Sequence, residues 1–122
     1  MKMKTWLVLV VLIAGFAVPL IAAAGEQGRL PLLLDLGADK CVPCKMMAPI
    51  LEQMEQDYAG KMVVRFVDVW KDPAAAKPYG VRLIPTQIFF GTDGQELFRH
   101  QGFYGKEEIL AKWQELGYEF DK

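Results

Sequence analysis

The sequence predicts an α/β domain: a mixed four-stranded sheet in the order β-α-β-α-β-β-α, with helices on both faces. Three observations predict it. Short, nearly continuous apolar runs alternate with segments whose apolar residues recur at helical spacing. The last two apolar runs are separated only by "GTDGQ", whose Asp93-Gly94 is a strong hairpin signal. The chain has 122 residues, enough for one domain once its first segment is set aside.

That first segment, "MKMKTWLVLVVLIAGFAVPLIAAAGEQGR", opens with Lys2 and Lys4 and is apolar from Trp6 to Ala24. A basic start, an apolar middle and the small residues Ala22-Ala23-Ala24 describe an export signal cleaved after Ala24. The alternative is an uncleaved anchor, because about 20 apolar residues span a bilayer and the positive end stays in the cytoplasm. Pro19 and the alanines favour removal, since signal peptidase needs an extended chain there. Either way, residues 25–122 are expected to fold outside the cytoplasm.

The elements follow in order. "RLPLLLDLGA" is an almost continuous apolar run, the pattern of a strand covered on both faces. After it, Met47, Ile50, Leu51, Met54 and Tyr58 form one stripe on a helix of about four turns, with Gly60 placed to end it. "KMVVRFVDVW" is the next strand. "DPAAAKPYG" is a short helix with Asp72 as cap and Pro73 in its first turn. "VRLIPTQIFF" and "ELFRHQGF" supply the hairpin strands. In "GKEEILAKWQELGYEF", Ile109, Leu110, Trp113 and Leu116 share a helical face, and Glu107 and Glu108 sit near the positive end of the dipole.

The whole chain carries 14 basic and 15 acidic residues, and residues 1–24 hold two of the basic ones and none of the acidic ones. The remaining body is mildly acidic with no basic patch, which argues against nucleic acid as a partner. Its two cysteines, Cys41 and Cys44, are three positions apart. A bridge over so short a loop constrains the unfolded chain little, so it is a weak staple. Structural zinc needs about four ligands, and His100 is the sole histidine. Copper(I) favours thiolate and thioether donors, and Met46 and Met47 follow Cys44 closely, but Met47 belongs to the core stripe.

Electron exchange fits the position better. A strand turning directly into a helix places Cys41 at the first turn, where free backbone N–H groups, the dipole and adjacent Lys40 favour a thiolate. Such a thiolate is suited to attack on a partner's disulfide. Cys44 falls one turn further in, and Pro43 stiffens the loop at no cost in hydrogen bonds. Asp35 interrupts the first strand six positions before Cys41, where an unpaired carboxylate is expensive and desolvation raises its pKa. It is therefore a candidate acceptor for the Cys44 proton; the alternative is a carboxylate bonded to loop amides at a strand end. Pro85, in "LIPT", lies between a short helix and a strand, and Trp70 and Phe103-Tyr104 are candidates for the rim.

From about Leu32 to Trp113 the chain closely resembles the thioredoxin family. "CVPCKMMAPILEQMEQDYAGK" matches the family's redox helix, including its proline at Pro49; Asp35 matches the buried acid, Ile84-Pro85-Thr86 the cis-proline motif and Gly102 the late glycine. The resemblance implies a thioredoxin-like fold, a solvent-facing nucleophile at Cys41 and a resolving thiol at Cys44, with no cofactor beyond the disulfide they form and no metal. It also implies a substrate surface of Lys40, Val42, Pro43, Ile84, a cis Pro85, Thr86 and Gly102. Two family tryptophans are replaced, by Lys40 and Gly37, which alters that surface. Only about ten residues separate Ala24 from Asp35, too few for the full-length fold's first strand and helix, so a trimmed, exported version is expected. The Val42-Pro43 pair is similar to that of membrane-anchored envelope reductants, without their central insertion.

The expected activity is that of an exported thiol–disulfide oxidoreductase. It would act as a monomer in a bacterial periplasm or at the outer face of the cytoplasmic membrane. There it would reduce envelope proteins and be recharged by a membrane thiol carrier. The alternative is an oxidant or isomerase running the same chemistry in reverse.

Overall fold

The computed structural model of the protein describes residues 29–121, so the export-signal or anchor segment lies outside the described residues. The elements are β1 (Leu32–Gly37), α1 (Val42–Asp57), β2 (Val63–Asp68), α2 (Pro73–Ala76) continued by a 3-10 turn (Lys77–Tyr79), β3 (Thr86–Phe90), β4 (Glu96–Gln101) and α3 (Lys106–Glu115). The sheet order is β2-β1-β3-β4, with β1 parallel to β2 and antiparallel to β3, and β3 antiparallel to β4. Among the described residues no helix is long and apolar enough to cross a membrane.

β1 is an inner strand, which explains its unbroken apolar run: residues Leu33 to Gly37 are buried on both faces. On one face Leu33 and Phe89 pack with Met47, Leu51 and Met54 of α1 and with Ile109 and Trp113 of α3. On the other, Leu34, Leu36 and Ile88 meet Ala76 of α2, flanked by Tyr79 and Val81. The helices therefore cover both faces, and the sequence stripes coincide with the buried ones.

Two details depart from the sequence pattern. β2 is as rich in Val and Phe as β1, yet it lies at the edge, with Val63 and Phe66 exposed. The apolar run that begins at Val81 becomes a strand only at Thr86. Before it, Pro85 lacks a backbone donor, and the Ile84–Pro85 peptide is cis. The hairpin loop spans residues 91–95, the "GTDGQ" that the sequence sets between the two runs. Gly94 adopts φ +81°, its N–H donates to the Gly91 carbonyl at 2.9 Å, and Asp93 accepts from the Gln95 N–H. Asp72 caps α2 as expected, accepting from the Ala75 N–H at 3.0 Å.

Candidate active site

The strand directions bring four segments to one end of the sheet: the loop between Gly37 and Cys41, the residues after Asp68, those before Thr86 and those after Gln101. This is the carboxyl end of the parallel pair, where open α/β sheets form their sites. Cys41, Trp70, Ile84-Pro85 and Gly102-Phe103 thus share one end. Pro85 and Gly102 are joined directly, the Gly102 N–H donating to the Pro85 carbonyl at 2.7 Å.

Cys41 is the N-cap of α1 and is bonded to Cys44, with Cα atoms 5.1 Å apart. Its sulfur also accepts from the Cys44 N–H at 3.3 Å, so it sits on the unpaired donors of the first turn. The two sulfurs are unequal in access. Cys41 is half-buried, Val42 beside it is 68% exposed, and Cys44 is buried. Gly37 lies against the inner sulfur: a Cβ there would stand 3.0 Å from Cys44 Sγ and 3.1 Å from the Phe66 ring. A side chain at this position would press on Cys44 and on the Phe66 ring, which would have to give by a few tenths of an ångström.

Alternation along β1 puts Leu33, Asp35 and Gly37 on the face covered by α1. Asp35 is fully buried, and burial pushes its carboxyl up to about 6 against the restraining hydrogen bond from Gln87. Gln87 Nε2 donates to Asp35 Oδ1 at 2.9 Å, while Oδ2 is buried with no hydrogen-bond partner. The carboxylate is thus held by a side chain across the sheet, not by loop amides. Register extends the pattern: Asp35 faces Gln87, Gln87 faces His100, and one row below, Leu33 faces Phe89 and Phe89 faces Phe98. A polar row therefore separates the aromatic core from the end that carries the disulfide.

The rim is apolar. Val42, Met46, Trp70, Leu83 and Phe103 are exposed around this end, and Trp70 and Ile84 line one open depression. Asp68 organises one side of it. Its carboxylate accepts from the backbone N–H groups of Lys71, Trp70 and Asp39, and these bonds, with the Lys71 charge, hold it below the usual carboxylate range. Lys71 also pairs with Asp39. The loop before Cys41 is in this way tied to the loop carrying Trp70. Of the expected surface residues, Lys40 and Val42 are exposed, Pro43, Ile84 and Gly102 are half-buried, and Pro85 and Thr86 are buried. Thr86 turns its hydroxyl to the Leu83 carbonyl, so it offers a partner backbone rather than side chain.

A family model described as thioredoxin matches residues 24–115. The chain belongs to the thioredoxin family. Thioredoxins of Staphylococcus aureus strains Mu50 and N315 are each 45% identical over 83 residues, 66% of this chain and 79% of theirs. A solved structure described as that of a malarial protein aligns with a TM-score of 0.65 at 21% identity, covering 70% of this chain and 96% of that one. This last likeness bears on fold alone, which is thioredoxin-like. Members of the thioredoxin family use a redox-active disulfide and no external cofactor, and Cys41–Cys44 is that disulfide here.

Among the described residues there is no cluster of three or more His, Cys, Asp or Glu side chains able to hold a metal. Met47, one of the two thioethers weighed as copper donors, is fully buried and accepts the Tyr104 N–H on its sulfur at 3.3 Å. Sequence reasoning missed Gln87 and Asp68. Gln87 left a faint signal, as the one amide in "TQIFF"; Asp68, at the end of an apolar strand, left the same kind of signal that Asp35 did.

Proposed function

We propose that this thioredoxin-family protein reduces disulfides of exported proteins outside the cytoplasm. Reduced Cys41 attacks a substrate disulfide; a Cys41–substrate disulfide forms and the first substrate thiolate leaves. Cys44 then gives up its proton, attacks Cys41 Sγ, forms the Cys41–Cys44 disulfide and releases the second substrate thiolate. Both thiolates take protons, so substrate gains two electrons and two protons, and the protein is oxidised. A membrane dithiol carrier restores it. Ile84, Pro85 and the Gly102 segment supply backbone to the bound substrate, and the rim of Val42, Trp70 and Phe103 supplies apolar contact.

Asp35 carries this reading. A buried carboxyl pushed up to about 6, on the Cys44 side of β1 and with one oxygen unpartnered, suits a group that accepts a thiol proton near neutral pH. Asp35 serves the exchange step in both directions, and the reduction potential of the pair decides which way electrons flow. Two measurements test the reading. Asp35→Asn is expected to slow release of the mixed disulfide about a hundredfold at pH 7, the lower range for a general base. The potential of the pair against glutathione is expected near −270 mV, on the order of a reductant; a value near −120 mV would place the protein among the oxidants.

A further inference from the structure

The Asp35–Gln87–His100 row reaches from the disulfide face to a half-buried histidine on β4, and only its first member has a role so far. Gln87 Oε1 lies 3.0 Å from His100 Nδ1, and the His100 ring stacks on Tyr104 with centroids 3.9 Å apart and planes 9° from parallel. Gln87 itself is fully buried.

An amide has a donor end and an acceptor end, and its neighbours decide which way it lies. An ionised carboxylate only accepts, so Asp35 requires the Gln87 N–H on its Oδ1. The Gln87 oxygen then faces His100, and Nδ1 there must carry a proton. Tyr104 stacking holds the ring in place. Oδ1 is thereby occupied, and the unpartnered Oδ2 is what remains. We propose that His100 and Gln87 are positioning residues: His100 Nδ1–H locks the Gln87 amide, so that its N–H stays on Asp35 Oδ1 and Oδ2 alone receives the proton of Cys44. This rests on the reading of Asp35 as the proton acceptor.

Without His100 the amide is free to turn its oxygen towards Asp35, where it accepts from a protonated carboxyl and favours that form. Loss of either residue therefore raises the pH at which Asp35 becomes competent. The groups facing Asp35 are Gln87 from β3, Phe66 from β2 and, through Gly37, Cys44 from α1. Those around His100 are Gln87 and Tyr104. Lys112, Glu108 and Glu115 of α3 act on the Tyr104 phenol, whose pKa is raised chiefly by burial.

The test is stopped-flow reaction of the reduced protein with 5,5'-dithiobis(2-nitrobenzoate), following the second thionitrobenzoate, which Cys44 displaces, across pH 5–9. Gln87→Leu and His100→Phe are each expected to move the midpoint of that step up by about 0.5–1 pH unit, the equivalent of one hydrogen bond. The double variant should match Gln87→Leu alone, since His100 acts through the amide. His100→Asn, whose amide nitrogen can replace Nδ1, should restore the wild-type midpoint. In the wild type, nitrogen-15 shifts should show His100 protonated at Nδ1, and Gln87→Leu should release that preference. An unmoved midpoint in His100→Phe, or a bare Nδ1 in the wild type, overturns the proposal while leaving Asp35 as base. An Asp35→Asn variant as fast as wild type overturns the base reading, and this inference with it.

Discussion

The two faces of the sheet are buried to the same depth by different chemistry. Towards α2, the interior is aliphatic: Leu34, Leu36, Ile88 and Ala76, joined on that face by the buried Thr86, whose hydroxyl donates to the Leu83 carbonyl. Towards α1 and α3, an aromatic core of Phe89, Trp113 and Tyr58 is topped by the row of Asp35, Gln87 and His100. Only the second face leads to the disulfide. The difference separates two kinds of burial: apolar side chains that lower the free energy of folding, and a carboxyl kept at some expense because the chemistry above it needs a proton acceptor.

The comparison breaks most visibly at the disulfide. Cys41→Ser is expected to bring insulin-disulfide reduction down to the uncatalysed rate, because Cys44, the one other thiol of the chain, is buried. Cys44→Ser should still attack once and then accumulate a mixed disulfide, seen as a mass increase in electrospray spectra. Turnover by Cys41→Ser would mean that the face carrying the polar row is not the reacting one.

On the α2 face the expected response is stability alone. Leu34 is fully buried, so Leu34→Ala removes apolar contact and leaves a cavity, destabilising the fold by about 2–5 kcal/mol in urea titrations. The loss should be the same at pH 5 and pH 8, and the rate of thiol exchange by the remaining folded protein should be unchanged. A pH-dependent loss would show that the two faces are coupled.

Asp35→Asn should do the reverse. In the folded protein the carboxyl lies near 6 against an ordinary value of 3.8. The folded state therefore binds this proton more tightly than the unfolded one. Below about pH 4 both states are protonated and Asp35 contributes no penalty. Between about 4 and 6 the penalty grows, and above 6 it is complete, up to about 3 kcal/mol. Asn accepts the Gln87 N–H without a charge, so the variant should be more stable than wild type at pH 8 by up to that amount and no more stable at pH 3.5. Equal stabilities at both pH values would sink the account of burial at Asp35.

How much of this was legible in the sequence depends on what each residue answers to. Met47, Leu51 and Trp113 answer to helical period, and Asp72 to local capping, so their places followed from spacing. Asp35 stood out because a charge inside an apolar run needs a reason. Gln87 and His100 acquire meaning only from register across three strands, and register is settled by which strands pair. For the same reason β2 did not announce itself as an edge: Val63 and Phe66 have the composition of an inner strand. Gly37 is legible as a changed docking position by its resemblance, whereas its closeness to Cys44 Sγ emerges only from how β1 meets α1.

The smallest expected effect lies at the start of α2. Asp72 Oδ1 accepts the Ala75 N–H, one of the donors that a helix start leaves free, and the helix it caps is only four residues long before the 3-10 turn. So short a helix has little stability of its own and is held by its cap and by Ala76 against Leu34, Leu36 and Ile88. Asp72→Ala should destabilise the protein by about 1 kcal/mol, whereas Asp72→Ser, which keeps an acceptor, should lose only a fraction of that. Neither should shift the pH midpoint of thiol exchange, because the cap lies on the aliphatic side of the sheet, away from the polar row. A shifted midpoint in Asp72→Ala would mean that α2 reaches the active end through the Trp70 loop, and that the division between a structural and a chemical face is incomplete on that side.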